Sequence, residues 1–475
     1  MKASEVRNVM ELDMTKGKPS SLIIRFIIPV IIGNIFQQLY NMADTIIVGR
    51  FVGVDALAAV GATGSIVFLI LGFTQGLTTG FTVMTAQRYG AGDKEGMKKS
   101  IGSAIVLSVI VTVVMTIISM ASMDTILTWM NTPEDIFAMS KEYIMIICAG
   151  ICFNVLYNLL ASILRAIGNS VIPLVLLVIS SVINIVLDYI LIVYGHMGVG
   201  GAAYATIIAQ GVSGILCLIY IIKKVTVLHV ERHHFKLESQ CVKNQLSVGI
   251  PMALQFSITA VGVILVQAAL NLLGSMVVAS YSVSCKVEQL VTQPFGAMGV
   301  TMATYCAQNR GINDLSRIKK GVKSANIMSA VYALVIYGVI YLVLPFIVPV
   351  FVSENIEMVY GYARTYIVIC GAFFIPLGMI FIFRNALQGC GYGFLPMMGG
   401  VVELVSRAAV AFAAAKLLSY EGVCLANAGA WVTAGVFLWI AYRVLMKRMV
   451  LEKAAYEERE VSLSNNSPAP NQNGA

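Results

Sequence analysis

Long apolar segments, separated by short polar stretches, recur along the whole chain. Each extends over roughly the 20 residues that a membrane-spanning helix requires. Twelve such segments can be counted, centred near Ile32, Phe68, Val109, Ala149, Ile179, Ile208, Thr259, Ala297, Val335, Phe373, Ala409 and Val436. The pattern therefore predicts an all-α integral membrane protein with twelve transmembrane helices.

A polar motif occurs in both halves of the chain at equivalent places. Residues 86–99 read AQRYGAGDKEGMKK and residues 307–320 read AQNRGINDLSRIKK, so Ala, Gln, Gly, Asp and Lys-Lys recur at identical spacing. A second pair of segments, GNSVIP at 168–173 and GYGFLP at 391–396, shares its Gly and Pro positions. A membrane chain that repeats itself at half its length is most simply interpreted as two like bundles. We therefore predict two pseudo-symmetric six-helix lobes around a central cleft.

The repeat divides the chain into five segments. We expect a cytoplasmic N-terminal segment, an N-terminal six-helix lobe, a cytoplasmic linker, a C-terminal six-helix lobe and a cytoplasmic tail. Their predicted bounds are 1–20, 21–222, 223–243, 244–446 and 447–475. The tail ends in a stretch rich in Asn, Ser and Pro, a composition that buries too little apolar surface to fold, so we expect it to be disordered.

The charge pattern indicates topology. Charged residues make up 12% of the chain and hydrophobic residues 58%, whereas soluble domains carry about 25% charged residues. The net charge of +8 is concentrated at the termini and in alternate loops, such as those around Lys98 and Lys319, while the intervening loops, such as that around Glu134, are acidic. Because basic loops stay in the cytoplasm, both termini are expected there. This distribution argues against nucleic-acid binding.

The cysteines and histidines give little reason to expect a metal site. Nine cysteines are present and none forms a C-x-x-C pair, so neither a disulfide framework nor a zinc site is indicated. His233 and His234 in the linker could bind a metal ion, but adjacent histidines point away from each other on a helix. A solvated linker is the favoured interpretation.

The sharpest group of polar residues within the apolar segments comprises Asp44, Asn184 and Asp188. An ionisable group in a spanning helix costs roughly 2.5–3.5 kcal/mol on insertion scales, so its presence needs an explanation. Asn184 and Asp188 are four residues apart and share one helix face. Two carboxylates and an amide offer hard oxygen ligands for Na⁺, or a buried pair that takes up one proton. Taken alone, Asp44 would be better interpreted as an interface residue at a helix end.

Other polar residues in the apolar segments have weaker claims to a functional role. Glu288 could line the cleft as a cation-binding carboxylate, or it could be ion-paired or extend to the membrane surface. Glu403 and Arg407, four residues apart, are expected to form a structural ion pair. Arg165 and Arg384 are expected near cytoplasmic helix ends, as topology or gate residues.

Missing signatures exclude several classes of protein. The chain contains neither the G-x-x-x-x-G-K-[ST] motif of ATP-driven proteins nor an H-E-x-x-H or similar catalytic motif. We therefore expect no ATP, no cofactor and no enzymatic activity. Energy would come from an ion gradient or from the gradient of the substrate itself; one charge crossing 100 mV supplies about 2.3 kcal/mol.

Several motifs, in order along nearly the whole chain, resemble the MATE (multidrug and toxic compound extrusion) transporters of bacteria. They are Pro29 followed by YNMADTIIVGR at 40–50, AAVG at 58–61, Gly168-Asn169 with Pro173, NIVLDYIL at 184–191 and ELVSR at 403–407. The resemblance implies two six-helix lobes with a central cleft. It also implies antiport of organic cations or drugs against Na⁺ or H⁺.

The resemblance assigns roles to individual residues. Asp44, Asn184 and Asp188 would form the cation site of the N-terminal lobe. Tyr143, Asn154 and Thr206 would be its neighbours; on sequence alone, an amide such as Asn154 could equally hold two helices together. Pro29 would be the point where the first helix bends.

In the second lobe, the resemblance implies that Glu288 is the carboxylate of the cleft. Some family members carry a glutamate in the seventh span where this chain has Gln255, so a Na⁺ site built on that position is doubtful here. The expected protein is a monomer in the plasma membrane. The rival functions are a lipid-linked oligosaccharide flippase of the same superfamily and a membrane-embedded enzyme or receptor scaffold.

Overall fold

The computed structural model describes residues 12–351 and 355–465, and all regular structure within these ranges is helical. The helices of the first half are α1 (Pro19–Phe51), α2 (Val54–Gly90), α3 (Lys94–Trp129), α4 (Glu134–Ala149), α5 (Ile151–Ala166), α6 (Val171–Tyr189) and α7 (Gly198–Lys224). Those of the second half are α8 (Ser239–Asn271), α9 (Ser275–Gly311), α10 (Leu315–Phe351), α11 (Ile356–Gly371), α12 (Phe374–Gly389), α13 (Phe394–Leu417) and α14 (Tyr420–Asn465).

The structure has a helix, or a bent pair of helices, at the place of each of the twelve predicted spans. Over the described residues, 9 helices are long and apolar enough to cross a bilayer, and the number reaches 11 when two bent pairs are each taken as one span. These pairs are α4–α5 and α11–α12, with bends of 46° and 51°. The remaining long helix, α9, has 37 residues but carries polar side chains such as Lys286 and Glu288. The prediction of an all-α membrane fold is confirmed.

The duplicated motif marks the same structural corner in both halves. One copy lies where α2 ends at Gly90, the other where α9 ends at Gly311, and in both the next helix begins within a few residues. Asp93 accepts a hydrogen bond from the backbone N–H three residues later at 2.8 Å, and Asp314 does the same at 2.9 Å. Each Asp therefore caps the N-terminus of the following helix, where the first N–H groups lack helical partners.

Helices α1–α7 form one lobe and α8–α14 the other, and the lobes meet along α2–α8 and α1–α9. We call the end of the molecule that carries residues 86–99 and 307–320 the basic end, because both segments are rich in Lys and Arg. The opposite end carries Asp124, Glu134 and Glu421. We call it the acidic end.

Small residues on α2 determine where the two lobes touch. A Cβ atom built on Gly76 would lie 2.7 Å from the Cα of Ala253 on α8, so the two backbones are in direct contact. Nearer the acidic end of the same helix, Gly61 and Gly64 have no atom within 4 Å of such a Cβ. The lobes therefore close on each other towards the basic end and leave a central cleft towards the acidic end.

The chain segments outside the lobes are more ordered than predicted. The tail was expected to be disordered from residue 447, but α14 continues to Asn465. Its extension is rich in strong helix formers and carries an ion pair between Arg448 and Glu452, four residues apart at 2.7 Å. The rest of the predicted tail, 466–475, lies outside the described residues, as do residues 1–11 of the N-terminal segment.

The linker is also packed rather than fully solvated. Two short 3₁₀ turns, Thr226–Leu228 and Arg232–Phe235, follow α7, and the second packs against α3. His234 is buried there, and its backbone carbonyl fits against Gly102, where a Cβ would overlap it. The interpretation as a solvated linker is therefore wrong for this turn, although its neighbour His233 is exposed.

A buried ion cluster holds the C-terminal lobe together. Glu403 accepts from Arg407 at 2.7 Å, one turn along α13, and from Arg384 of α12 at 3.1 Å. All three side chains are about nine-tenths buried. Gly262 of α8 makes room for the Arg407 guanidinium, because a Cβ there would lie 2.7 Å from it. Arg384 is thus a buried partner of Glu403, contrary to the expectation that it is a topology or gate residue.

The contact between α2 and α8 predicts the effect of Gly76→Ala. The added methyl group would overlap the backbone of Ala253, and such overpacking destabilises a protein by about 1–3 kcal/mol. We expect a lower melting temperature of the purified protein in detergent. Gly61→Ala on the same helix is the control, because its methyl group meets no atom within 4 Å. Equal melting temperatures for the two variants would contradict the proposed close contact.

The ion cluster predicts a larger effect for Glu403→Gln. Removing one partner of a buried ion pair costs about 3–5 kcal/mol because the remaining charge stays buried without compensation. Glu452→Gln is the matched control; its ion pair with Arg448 is exposed, and such pairs contribute about 0–1 kcal/mol. Thermal unfolding in detergent measures both. A loss for Glu403→Gln no larger than that of the control would refute a structural role for the cluster.

Candidate functional site

The structure brings the three predicted cation-site residues together in the N-terminal lobe. Asp44 lies near the end of α1, while Asn184 and Asp188 lie one turn apart on α6. The carboxyl groups of Asp44 and Asp188 are adjacent, and the Asn184 amide also reaches Asp44. Asn184 and Asp188 are at most 2% exposed. Residues at least 140 positions apart in the sequence thus form one largely buried cluster.

The hydrogen-bonding capacity of this cluster is largely unused by the protein. Both carboxylate oxygens of Asp188, both polar atoms of the Asn184 amide and Oδ1 of Asp44 are buried without a hydrogen bond of normal geometry to any described residue. Buried polar atoms are nearly always hydrogen-bonded, so such a concentration needs an explanation. The three carboxylate oxygens and the amide oxygen of this cluster are hard ligands of the kind that Na⁺ prefers. A proton shared by the two carboxyl groups would also suit them.

Side chains from two further helices complete the surroundings of Asp44. Thr206 of α7 donates from Oγ1 to Oδ2 of Asp44 at 3.4 Å. Tyr143 of α4 lies within electrostatic reach of both carboxylates. Tyr40, one turn before Asp44 on α1, also lies close to it and to Tyr143. Sequence reasoning missed Tyr40, although its spacing of four residues from Asp44 places both on one helix face.

Asn154 belongs to a neighbouring amide network. Its Nδ2 donates to Oε1 of Gln210 on α7 at 3.0 Å, and Asn158 donates to Asn154 Oδ1 at 3.1 Å. This network joins α5 to α7, the helix that also carries Thr206. The geometry corresponds to interhelical packing by amides, the alternative interpretation of Asn154.

The C-terminal lobe holds Glu288 and Gln255 in separate polar contacts. Glu288 of α9 accepts a hydrogen bond from the Tyr366 hydroxyl of α11, and Asn427 of α14 donates to that hydroxyl at 3.4 Å. Gln255 of α8 accepts from Gln388 of α12 at 3.1 Å. Glu288 therefore faces the interior of its own lobe.

Pro29 lies inside α1, which runs without interruption from Pro19 to Phe51. Because proline has no backbone N–H, the hydrogen bond to the carbonyl of Arg25 is missing at this point. The ladder of α1 is therefore weakest there. A bend at Pro29 during the functional cycle stays a prediction.

A second cluster of potential metal ligands lies on the linker. Nε2 of His233 and Nε2 of His234 lie 3.3 and 3.1 Å from Oε1 of Glu95. Nδ1 of His234 accepts the backbone N–H of Glu231 at 2.8 Å, so in the neutral ring Nε2 carries the proton. An Nε2 that carries a proton cannot bind a metal ion. The cluster is better explained as an anchor of the linker on α3.

Comparison with known proteins agrees with this architecture. The MatE family model matches residues 29–190 and 251–413, one match in each half of the chain. The probable multidrug resistance protein YpnP of Bacillus subtilis is 27% identical over 80% of this chain and 84% of its own length. The probable multidrug resistance protein YoeA of the same organism is 26% identical over 72% of this chain and 75% of its own length.

The fold is also that of solved structures. One is the outward-facing conformation of a multidrug resistance MATE family transporter of the MOP superfamily, with a TM-score of 0.87. It is 24% identical in sequence, and the alignment covers 92% of this chain and 98% of that one. The family match extends over both lobes, and the resemblance found in the sequence motifs is thereby confirmed. This chain belongs to the MatE family of membrane transporters.

Proposed function

We propose that the protein exports organic cations or drugs across the bacterial plasma membrane, in exchange for Na⁺ or H⁺. The observation that carries the proposal is the buried cluster of Asp44, Asn184 and Asp188, whose polar atoms are mostly unpaired within the protein. Two adjacent carboxylates repel each other when both are ionised, so the pair is stable with a proton or a cation between them. The multidrug resistance relatives support drugs as the substrates.

The charge distribution supports the orientation. The basic end carries both motif copies and the linker, and the positive-inside rule assigns such loops to the cytoplasm. Both termini then lie in the cytoplasm, and the cleft in this structure opens outward. The coupling ion enters from outside, reaches the N-terminal lobe and lowers the affinity for the organic substrate.

Export follows from alternating access. The lobes rock between states open to either side, and the ion and the substrate must have different affinities for the two states. Helix α1 is suited to couple the ion site to the movement of the lobes. It carries Asp44, packs on α6 within its own lobe and contacts α9 of the other lobe. We infer a transport cycle in one chain, without ATP. We further propose that the substrate contacts Glu288 and Gln255 where it enters the C-terminal lobe from the cleft.

A flippase for lipid-linked oligosaccharides is less well supported. Its pyrophosphate substrate would require an excess of cationic groups facing the cleft. Two of the buried arginines, Arg384 and Arg407, are already bound to Glu403. In the N-terminal lobe, the two carboxylates Asp44 and Asp188 have no partner in the described ion pairs. Arg165 of the same lobe, which donates to Ser162, is a single cationic group compared with these two acidic ones.

The proposal predicts that Asp44→Asn and Asp188→Asn each strongly reduce ion-driven transport. The amide keeps the size of the carboxylate but cannot be ionised, so ion binding no longer biases the two states. Coupling free energies are typically about 1–3 kcal/mol, so transport should fall by roughly 5- to 150-fold. The measurement is uptake of a fluorescent organic cation into proteoliposomes, with Na⁺ and pH gradients imposed separately.

The matched control is Asp124→Asn, which changes an exposed carboxylate at the acidic end that is paired with Lys141. It should retain full transport. Undiminished transport by both Asp44→Asn and Asp188→Asn, at normal protein levels, would refute the coupling site. A response to only one of the two gradients would identify the ion.

A further inference from the structure

The glutamine of the duplicated motif contacts the opposite lobe in both copies. Gln87 of α2 donates from Nε2 to the carbonyl oxygen of Gly389 at 2.8 Å. Gln308 of α9 donates from Nε2 to the carbonyl oxygen of Ala166, also at 2.8 Å. Ala166 is the last residue of α5 and Gly389 the last of α12, which are equivalent helices of the two lobes. The two hydrogen bonds are therefore reciprocal, each joining equivalent groups in opposite directions.

The geometry suits this pairing at both ends of each bond. The last carbonyls of a helix have no partner within it, so they are available to an outside donor. The glycines of the motif bring the backbones together: a Cβ on Gly90 would overlap the carbonyl of Gln308, and a Cβ on Gly311 would overlap that of Gln87. Any larger residue would separate the lobes at this point.

The N-terminal segment reinforces one of the two bonds. The backbone N–H of Met14 donates to Oε1 of Gln308 at 3.0 Å, and its carbonyl accepts from Asn309 at 3.0 Å. On the other lobe, the N–H of Leu12 donates to the carbonyl of Gly168 at 3.2 Å. Met14 is fully buried. We call residues 12–17 the strap, because they are bonded to both lobes.

We propose that Gln87, Gln308 and the strap form a clasp that holds the two lobes together at the basic end, and that the clasp must open in each transport cycle. The proposal rests on the alternating access described above. In each inter-lobe bond the donor and the acceptor belong to different lobes, so separation at the basic end breaks both. Gln308, Ala166 and Gly389 are all buried. When the clasp opens, the Gln308 amide and the two carbonyl groups must exchange their hydrogen-bond partners for water.

Neutral amides are suited to a contact that forms and breaks repeatedly. A hydrogen bond between neutral groups makes a modest net contribution to stability, whereas breaking a buried ion pair leaves two charges without compensation. The clasp therefore biases the protein towards the state closed at the basic end without locking it there. Among the described hydrogen bonds, no segment reinforces Gln87 as the strap reinforces Gln308. The contact made by Gln308 is therefore the stronger of the two in the clasp.

The test measures how far apart the lobes are at the basic end. Spin labels are attached to cysteines introduced at Lys94 and Ser316, which are exposed and lie in the first turns of the equivalent helices α3 and α10. The exposed Cys152 is replaced by Ser to limit background labelling. Pulsed electron–electron double resonance on the full chain in proteoliposomes then gives the distribution of distances between the labels.

Loss of a clasp bond should move this distribution towards longer distances. We expect the ratio of closed to open molecules to fall by about three- to tenfold for Gln87→Ala, the effect of one lost hydrogen bond. The fall should be larger for Gln308→Ala, which also loses the bond from the Met14 N–H. Because both hydrogen bonds break in the same opening, the factors by which the two single variants lower the closed-to-open ratio should multiply in the double variant Gln87→Ala with Gln308→Ala. Gln240→Ala is the control. Its exposed amide donates to Asn244 on its own helix and, among the described hydrogen bonds, to no residue of the other lobe, so the distribution should stay unchanged.

An isosteric double variant keeps the test decisive if the alanine variants fold poorly or shift too little. Gln87→Glu with Gln308→Glu preserves shape but directs carboxylates at the carbonyls of Gly389 and Ala166, so it should open the basic end further. A folded double glutamate variant with an unchanged distribution overturns the clasp. If the distribution shifts while the wild type moves no organic cation under any gradient, the clasp stands and the export proposal fails.

The strap has its own variant pair. Met14→Pro removes the N–H that donates to Gln308 and should shift the distribution in the same direction as Gln308→Ala. Met14→Leu keeps both the N–H and the buried apolar side chain and should leave it unchanged. Identical distributions for the two Met14 variants would remove the strap from the clasp.

Discussion

The cost of placing charge in the hydrocarbon layer is the constraint on which this structure depends. A bilayer offers no water to an isolated carboxylate or guanidinium, so such groups are retained only where the protein neutralises them or where they act. The two lobes illustrate both cases. In the C-terminal lobe, Glu403 is bonded to two arginines. In the N-terminal lobe, Asp44 and Asp188 have no cationic partner among the described ion pairs, so their neutralisation is left to a proton or an ion.

The internal duplication gives both lobes the same frame but not the same chemistry. Equivalent helices end at equivalent residues, and the Asp caps and glutamines of the motif are reproduced in each copy. The buried charges are not reproduced. Glu288 is bonded to Tyr366 inside the C-terminal lobe, and it does not occupy the position of that lobe that corresponds to Asp44. The proposed rocking requires only the symmetric frame, whereas the proposed ion site depends on carboxylates that are present in one lobe alone at this position.

The fold was predictable because its signals are long and redundant. Twelve apolar segments and two motif copies each contain many residues. Misassigning one residue therefore does not change the predicted number of helices or the division into two lobes. The grouping of Asp44 with Asp188 was also predictable, since few polar residues stand in such apolar surroundings. The partnership of Arg384 with Glu403 was not, because the two lie on consecutive helices whose packing the sequence does not specify. Nor did the repeated glutamines indicate their acceptors, which are backbone carbonyls and carry no sequence signal.

Helix α1 connects the two parts of the molecule that the proposals concern. It begins two residues after the strap and carries Asp44 close to its other end. At 1.5 Å per residue, the roughly 25 residues from Pro19 to Asp44 span about 38 Å, so the clasp and the cation site lie towards opposite ends of α1. A signal over this distance requires an element that moves as a unit or bends at one point. The missing hydrogen bond at Pro29 makes that position the most easily deformed part of the backbone ladder of α1, and it lies nearer to the strap than to Asp44. Movement of Asp44 upon ion binding would therefore displace the long segment after Pro29 as a rigid rod, while the short segment before it stays attached to the strap.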